Sequence, residues 1–229
     1  MIERISGSGW LALLGGGEFS FGETEEADRA WLAKTPPGPV GFLPAASDSQ
    51  DYGRHFATYL GEVFGRQVET IPVYRRRDAL RGKNAERIAA AAAVYLGGGV
   101  TDHLLDALPG TPAEEALRGK LGSGGVVVAI AAAAQAAGRA ARSLLSPGTL
   151  LDGLGWLPDA AVEPNFDPGH DRRLRQLMKA PGVRRGLGIP AGSAVLLGPD
   201  GAVEQVGALF TLGDADDDLD VHEVEGTSD

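Results

Sequence analysis

Serine-type acyl transfer needs a nucleophile on a sharp strand-to-helix turn, flanked by small residues so that chain and substrate can approach. The stretch from Val126 to Gly138 has that frame: an apolar run, Val126-Val127-Val128-Ala129-Ile130, followed by an alanine block that reads as opening a helix. Between Ala129 and Gly138 there is no Ser, Thr, Cys, Asp or Glu, and Gln135 is the only polar side chain. Residues that could move protons lie elsewhere. His170 stands near Asp167 and Asp171, and a carboxylate–histidine pair can do acid–base work. The segment Asp167–Arg173 also reads as a polar surface turn. His103 reads as a structural helix residue or a group facing the cleft. Glu18, just after Gly15-Gly16-Gly17, reads as a surface or capping group, and Ser47 and Thr101 as helix caps. The histidines at 55, 103, 170 and 222 contain no helical i,i+4 pair, so no histidine metal site is expected.

The elements that must position these residues follow from periodicity. Trp10–Leu14, Val40–Leu43, Val68–Val73, Ala93–Leu96 and Val126–Ile130 are short apolar runs bounded by turns, the pattern of strands buried on both faces. Tyr52, Phe56, Leu60 and Phe64 recur every four residues and predict a helix with that face in the core. Asn84–Ala93 reads as a second helix, a third follows Thr101 with Leu104, Leu105 and Leu108 inward, and Arg172–Met178 looks helical. Strand and helix alternate, which predicts an α/β fold: a three-layer, open, mostly parallel sheet with helices on both faces. Ser193–Leu197 and Val203–Gly207 flank Gly198-Pro199-Asp200-Gly201 and predict a β-hairpin. Such sheets bind ligands beyond the carboxyl ends of their strands. The candidate cleft residues stand there: Gly16, Gly17, Ser47, Gly98, Gly99, Ala131 and Ala132.

Composition narrows the function classes. The 229 residues contain no cysteine, which excludes disulfides, thiol catalysis and cysteine zinc sites. The net charge is −10, and eight acids with no Lys or Arg lie between Gly213 and Asp229. The expected organisation is one domain over 1–212 and an acidic tail over 213–229, in which only Val221-His222-Glu223-Val224 has strand character. The remaining body is nearly neutral. Its one basic cluster, Arg75-Arg76-Arg77 with Arg81 and Lys83, reads as a solvated loop face, so nucleic acid is not an expected partner. No apolar run reaches membrane-spanning length, and the charged start at Met1–Arg4 does not read as a signal peptide, so a cytoplasmic location is the expectation. Nothing calls for a cofactor.

An ordered series of segments resembles the dipeptidase E and cyanophycinase group of serine peptidases, which have a class I glutamine amidotransferase-like, flavodoxin-like fold. The series is Leu14-Gly15-Gly16-Gly17-Glu18, Leu43-Pro44-Ala45-Ala46-Ser47, Tyr95-Leu96-Gly97-Gly98-Gly99-Val100-Thr101, Val126–Val128 and Gly153-Leu154-Gly155-Trp156-Leu157-Pro158. It closes with Val162-Glu163-Pro164-Asn165-Phe166, Arg172-Arg173-Leu174 and Gly186-Leu187-Gly188-Ile189, and spans roughly residues 10–210. The resemblance implies a nucleophile at the position of Ala131, a general base at the position of Asn165 and an oxyanion donor at Gly98 or Gly99. The acid it implies some way after the nucleophile is missing from Arg139–Leu151, and Asp152 is the first candidate. Ile130 and Ala133 stand where the group has little bulk, which predicts a relaxed turn or a narrower pocket. The expectation is a peptidase-like protein without its triad that binds a small molecule, peptide or protein partner in the old cleft, with Asn165 and His170 beside it. The alternative is a hydrolase of Asp-containing peptides that works through relocated residues, His170 and a nearby carboxylate. A homodimer is implied by the resemblance alone.

Overall fold

The computed structural model describes residues 2–47, 49–213 and 220–223. In chain order the strands and helices are β1 (Trp10–Leu14), α1 (Glu25–Ala33), β2 (Val40–Leu43), α2 (Gln50–Phe64), β3 (Val68–Thr70), α3 (Arg76–Ala79), α4 (Gly82–Ala90) and β4 (Ala93–Leu96). They continue with α5 (Thr101–Ala107), α6 (Pro112–Gly122), β5 (Val126–Ile130), α7 (Ala132–Ala137), β6 (Ala140–Arg142), β7 (Leu150–Asp152) and β8 (Ala160–Pro164). The last are α8 (Arg172–Leu177), β9 (Arg185–Ile189), β10 (Ala194–Leu197), β11 (Val203–Val206), β12 (Ala208–Gly213) and β13 (Asp220–Glu223).

The main sheet has the order β11-β10-β1-β5-β4-β2-β3. Its five strands from β1 to β3 are parallel, and β10 and β11 join antiparallel on the far side of β1. Alternation within the strands fills both faces. Leu11, Leu13, Val94, Leu96, Val127 and Ala129 enter one core, and Ala12, Leu14, Phe42, Tyr95, Val128 and Ile130 the other. The α/β architecture expected from the sequence is therefore present. The α2 face also forms as expected: Phe56 and Leu60 are fully buried, and Gly65 ends the helix at φ 64°. The hairpin β10–β11 turns through Asp200 and Gly201, both at positive φ.

Register decides what happens at the sheet's carboxyl edge. Leu14 lies opposite Ile130, and Leu43 opposite Leu96. The strands thus end level, and the small-residue turns that follow them emerge together.

Four features differ from the sequence expectation. β3 stops at Thr70, and α4 ends at Ala90 because Ala93 is already paired in β4, against Val40 and Val126. A second sheet, β13-β12-β9-β8, stands beside the first, and β6 and β7 form a small antiparallel pair. In β9 the glycines make room for neighbours. A Cβ on Gly188 would lie 2.5 Å from the Phe166 ring, and one on Gly186 would lie 2.8 Å from Leu174. β13 uses Asp220–Glu223, which overlaps the expected Val221–Val224 stretch at 221–223 and begins one residue earlier; Val224 lies outside the described residues. Asp48 and the rest of the acidic tail, 214–219 and 224–229, lie outside the described residues. No helix among the described residues is long and apolar enough to cross a membrane.

Candidate functional site at the carboxyl edge of the sheet

Ala131 sits between β5 and α7 at φ 50°, ψ −112°. This is a conformation that glycine adopts freely and that a Cβ makes costly. The relaxed turn expected from Ile130 and Ala133 is therefore not what forms. Tertiary contacts hold the strain: the Ala131 amide donates to Leu14 O at 3.0 Å, its carbonyl accepts from Gln135 N at 3.0 Å, and every residue of α7 is buried. Strain of this kind costs about 1–3 kcal/mol. Ala131→Gly should remove it, at a cost of roughly 0.5–1 kcal/mol in glycine entropy. The variant's thermal midpoint should rise by about 2–4 °C for a chain of this size. A midpoint that stays level or falls in a thermal melt would show that the turn is not strained.

The other small-residue turns do converge here. A Cβ built on Gly98 would lie 3.5 Å from the Ala131 Cβ. Gly99, at φ 144°, packs so closely on the end of β2 that its Cβ would meet Ala46 O at 2.1 Å and Ser47 N at 3.2 Å. Gly16 lies beneath the Asn165 amide, where a Cβ would stand 2.2 Å from Oδ1, and the Asn165 amide nitrogen of the backbone donates to Gly15 O at 2.8 Å. Asn165 itself is at φ 49°. Gly17 faces Glu23, Thr24 and Gly192. Ala132, the first residue of α7, is buried and offers its carbonyl to the Thr101 hydroxyl.

Other candidates take different places. His170 is exposed in a short 3-10 turn, with Nδ1 2.7 Å from Asp167 Oδ2. The His170 contact and the Gly169 amide hold the Asp167 carboxyl below its ordinary value. Asp171 is engaged by Arg175 at 2.7 Å, and Asp152 is exposed on β7. Glu18 accepts from the Ser20 amide and hydroxyl, the capping role expected of it. Ser47 and Thr101 are not helix caps. The Ser47 hydroxyl accepts from Ser49 N in a local turn ahead of α2, while Thr101 is the first residue of α5 and reaches across to α7. The Arg75–Arg77 cluster is exposed, as a solvated face would be.

Two arrangements escaped the sequence. In the first, buried Gln135 accepts from Thr101 Oγ1 at 3.3 Å and from Arg142 N at 3.2 Å, and donates to Glu163 Oε2 at 3.3 Å. Arg142 grips Glu163 with both arms, at 3.0 and 2.7 Å. Burial pushes the Glu163 carboxyl up, opposed by Arg142, Arg173 and Gln135, and the net direction is upward. This ties β6 to β8 two residues before Asn165. Arg142 then borders a groove of about 1120 Å³ shared with Leu150, Arg172, Arg173, Gln176 and Lys179. In the second, the Tyr52 hydroxyl accepts from Gly98 N at 3.2 Å. The spacing of Tyr52 places it in the core; the one sequence signal for more is its hydroxyl, which a packing phenylalanine would not carry.

The strand–elbow–helix turn on an open parallel sheet defines the class: an α/β scaffold of the kind used for acyl transfer. Residues 11–204 match the model of Peptidase family S51, and the chain belongs to that family. Among solved structures, a peptidase from an acI-B1 Actinobacterium is similar with a TM-score of 0.73 and 19% identity, over 95% of this chain and 97% of that one. A putative Peptidase E protein from Listeria monocytogenes EGD-e is similar with a TM-score of 0.61 and 16% identity, over 87% of this chain and 98% of that one. At these identities the likeness is one of fold. No curated protein matches the chain.

Proposed function

We propose that this member of Peptidase family S51 forms no acyl-enzyme and uses the elbow cleft to bind a small ligand or peptide. The observation that carries this reading is Ala131. The backbone keeps the strained conformation that would present a nucleophile, and the side chain there is a methyl group. Asn165, which stands where the resemblance implies a base, has an amide that is neither acid nor base near neutral pH. His170 and Asp167 do form a close pair, which favours the alternative of relocated hydrolysis, but the pair stands in solvent on a surface turn.

The test is a day-long assay of the full chain at high concentration on Asp-Xaa dipeptides and β-linked Asp-Arg, with an active family member as positive control. No turnover above the blank is expected, either from the natural chain or from Ala131→Ser, whose new hydroxyl would find no base. Calorimetric titration of the same peptides and their blocked forms should show binding without cleavage. Turnover abolished by His170→Ala would establish the relocated site instead.

A further inference from the structure

Tyr52 is a polar side chain that the structure brings to the elbow from outside the expected cleft. Its ring is clamped: Phe19 stacks parallel at 6.0 Å and Phe42 meets it edge-on at 5.0 Å. Its oxygen is aimed by the Gly98 amide. The ideal Cβ position on Gly98 lies 3.5 Å from the Ala131 Cβ and 3.8 Å from the Tyr52 oxygen, so the phenol borders the elbow. A phenol that accepts one hydrogen bond still has its own proton to give. Burial raises its pKa, so that proton stays in place at neutral pH.

The surroundings indicate what should receive this proton. Gly16, Gly98, Ala131, Ala132 and Asn165 carry no charge. The charged groups acting on the phenol, Glu18 and Asp28, are acids. A ligand carboxylate placed here would lose water without gaining a cation, whereas an amide carbonyl needs only a donor.

We propose that Tyr52 is the specificity-determining residue of the cleft: its hydroxyl, held by Gly98 N–H, donates to an uncharged carbonyl oxygen of a peptide or amide ligand seated over Ala131. This rests on the reading of the elbow as a binding cleft, and it adds the ligand's chemistry: a blocked peptide is taken in preference to one whose end is a free carboxylate.

The experiment is calorimetric titration of the full chain, natural and Tyr52→Phe, with N-acetyl dipeptide amides and the same peptides bearing a free C-terminal carboxylate. The phenylalanine keeps both ring contacts. The amide form should bind the natural chain about tenfold more tightly than the carboxylate form, a gap corresponding to one hydrogen bond. Tyr52→Phe should lose about tenfold on the amide and little on the carboxylate. In amide NMR of the natural chain, the Gly98 resonance should shift on adding the blocked peptide, a readout that does not depend on the variant's fold. Equal binding of the amide by both proteins, or preference for the carboxylate, would overturn this inference alone. Absence of binding by every peptide, with no Gly98 shift, would overturn the binding cleft itself and this inference with it.

Discussion

Arg142→Met should destabilise the protein by about 3–5 kcal/mol near pH 7.5, the cost of leaving a buried charge without its partner. The Arg142 and Glu163 side chains are only 15% and 4% exposed, and Glu163 has no other cation in hydrogen-bonding contact among the described residues. The pH dependence follows from the direction of the carboxyl's shift. Burial already raises Glu163 in the folded protein, and removing the guanidinium raises it further. A carboxyl with a raised folded pKa binds more protons folded than unfolded above the ordinary carboxylate range. Its contribution is fully present below the unfolded value and is lost as pH rises through the folded one. The loss caused by Arg142→Met should therefore be smaller at pH 5 than at pH 7.5 in urea unfolding. Glu163→Gln in the same chain should recover part of it, because a neutral amide needs no counter-charge. A loss below about 1 kcal/mol at both pH values would mean that water reaches Glu163, in line with an exposed pair. Because the pair joins β6 to β8 just ahead of Asn165, the variant should also weaken the ligand binding proposed for the elbow.

Asp28→Ala should cost on the order of 4 kcal/mol, because it strands three donors at once and each buried orphan costs roughly 1–3 kcal/mol before any relaxation. Asp28 is fully buried and accepts from Thr24 Oγ1 at 2.7 Å, Trp31 Nε1 at 2.8 Å and the Tyr59 hydroxyl at 2.9 Å. Asp28→Asn should be far milder, about 1 kcal/mol. Its oxygen can still face the indole, and its NH₂ can face the two hydroxyls, which accept as well as donate. Burial raises the Asp28 carboxyl more than its three hydrogen bonds lower it. Its contribution is therefore also full at low pH and fades as pH rises through the folded pKa. The Asn variant should show a flatter stability profile from pH 5 to 8 than the natural chain. Equal losses for Ala and Asn in chemical denaturation would show that the hydrogen bonds are not what Asp28 supplies. The consequence reaches the cleft, because Tyr59 packs on Phe19, and Phe19 stacks on Tyr52.

The sequence by itself determined the main sheet's parallel strands, the α2 core face, the β10–β11 hairpin and the frame of the elbow. These are local matters: a period of two or four, an Asp-Gly turn, a run of small residues. It also determined that Ala131 carries no nucleophile, since composition needs no folding. The conformation of Ala131 was not legible, because alanine left to itself avoids positive φ. Only the neighbouring strand, through Leu14 O, and the buried α7 hold it there. The second sheet was hidden because Gly186 and Gly188 have little strand propensity of their own, and only the packing of Leu174 and Phe166 against them gives the glycines a purpose in a strand. Thr101, Gln135, Arg142 and Glu163 lie on four different elements and carry no shared motif. What joins them is the cost of burying polar groups unpaired, which arises only once α5, α7, β6 and β8 meet. The same holds for Tyr52. Helical spacing placed it on the core face of α2, and the turn after β4, arriving with Gly98, gave its hydroxyl a backbone partner beside the elbow.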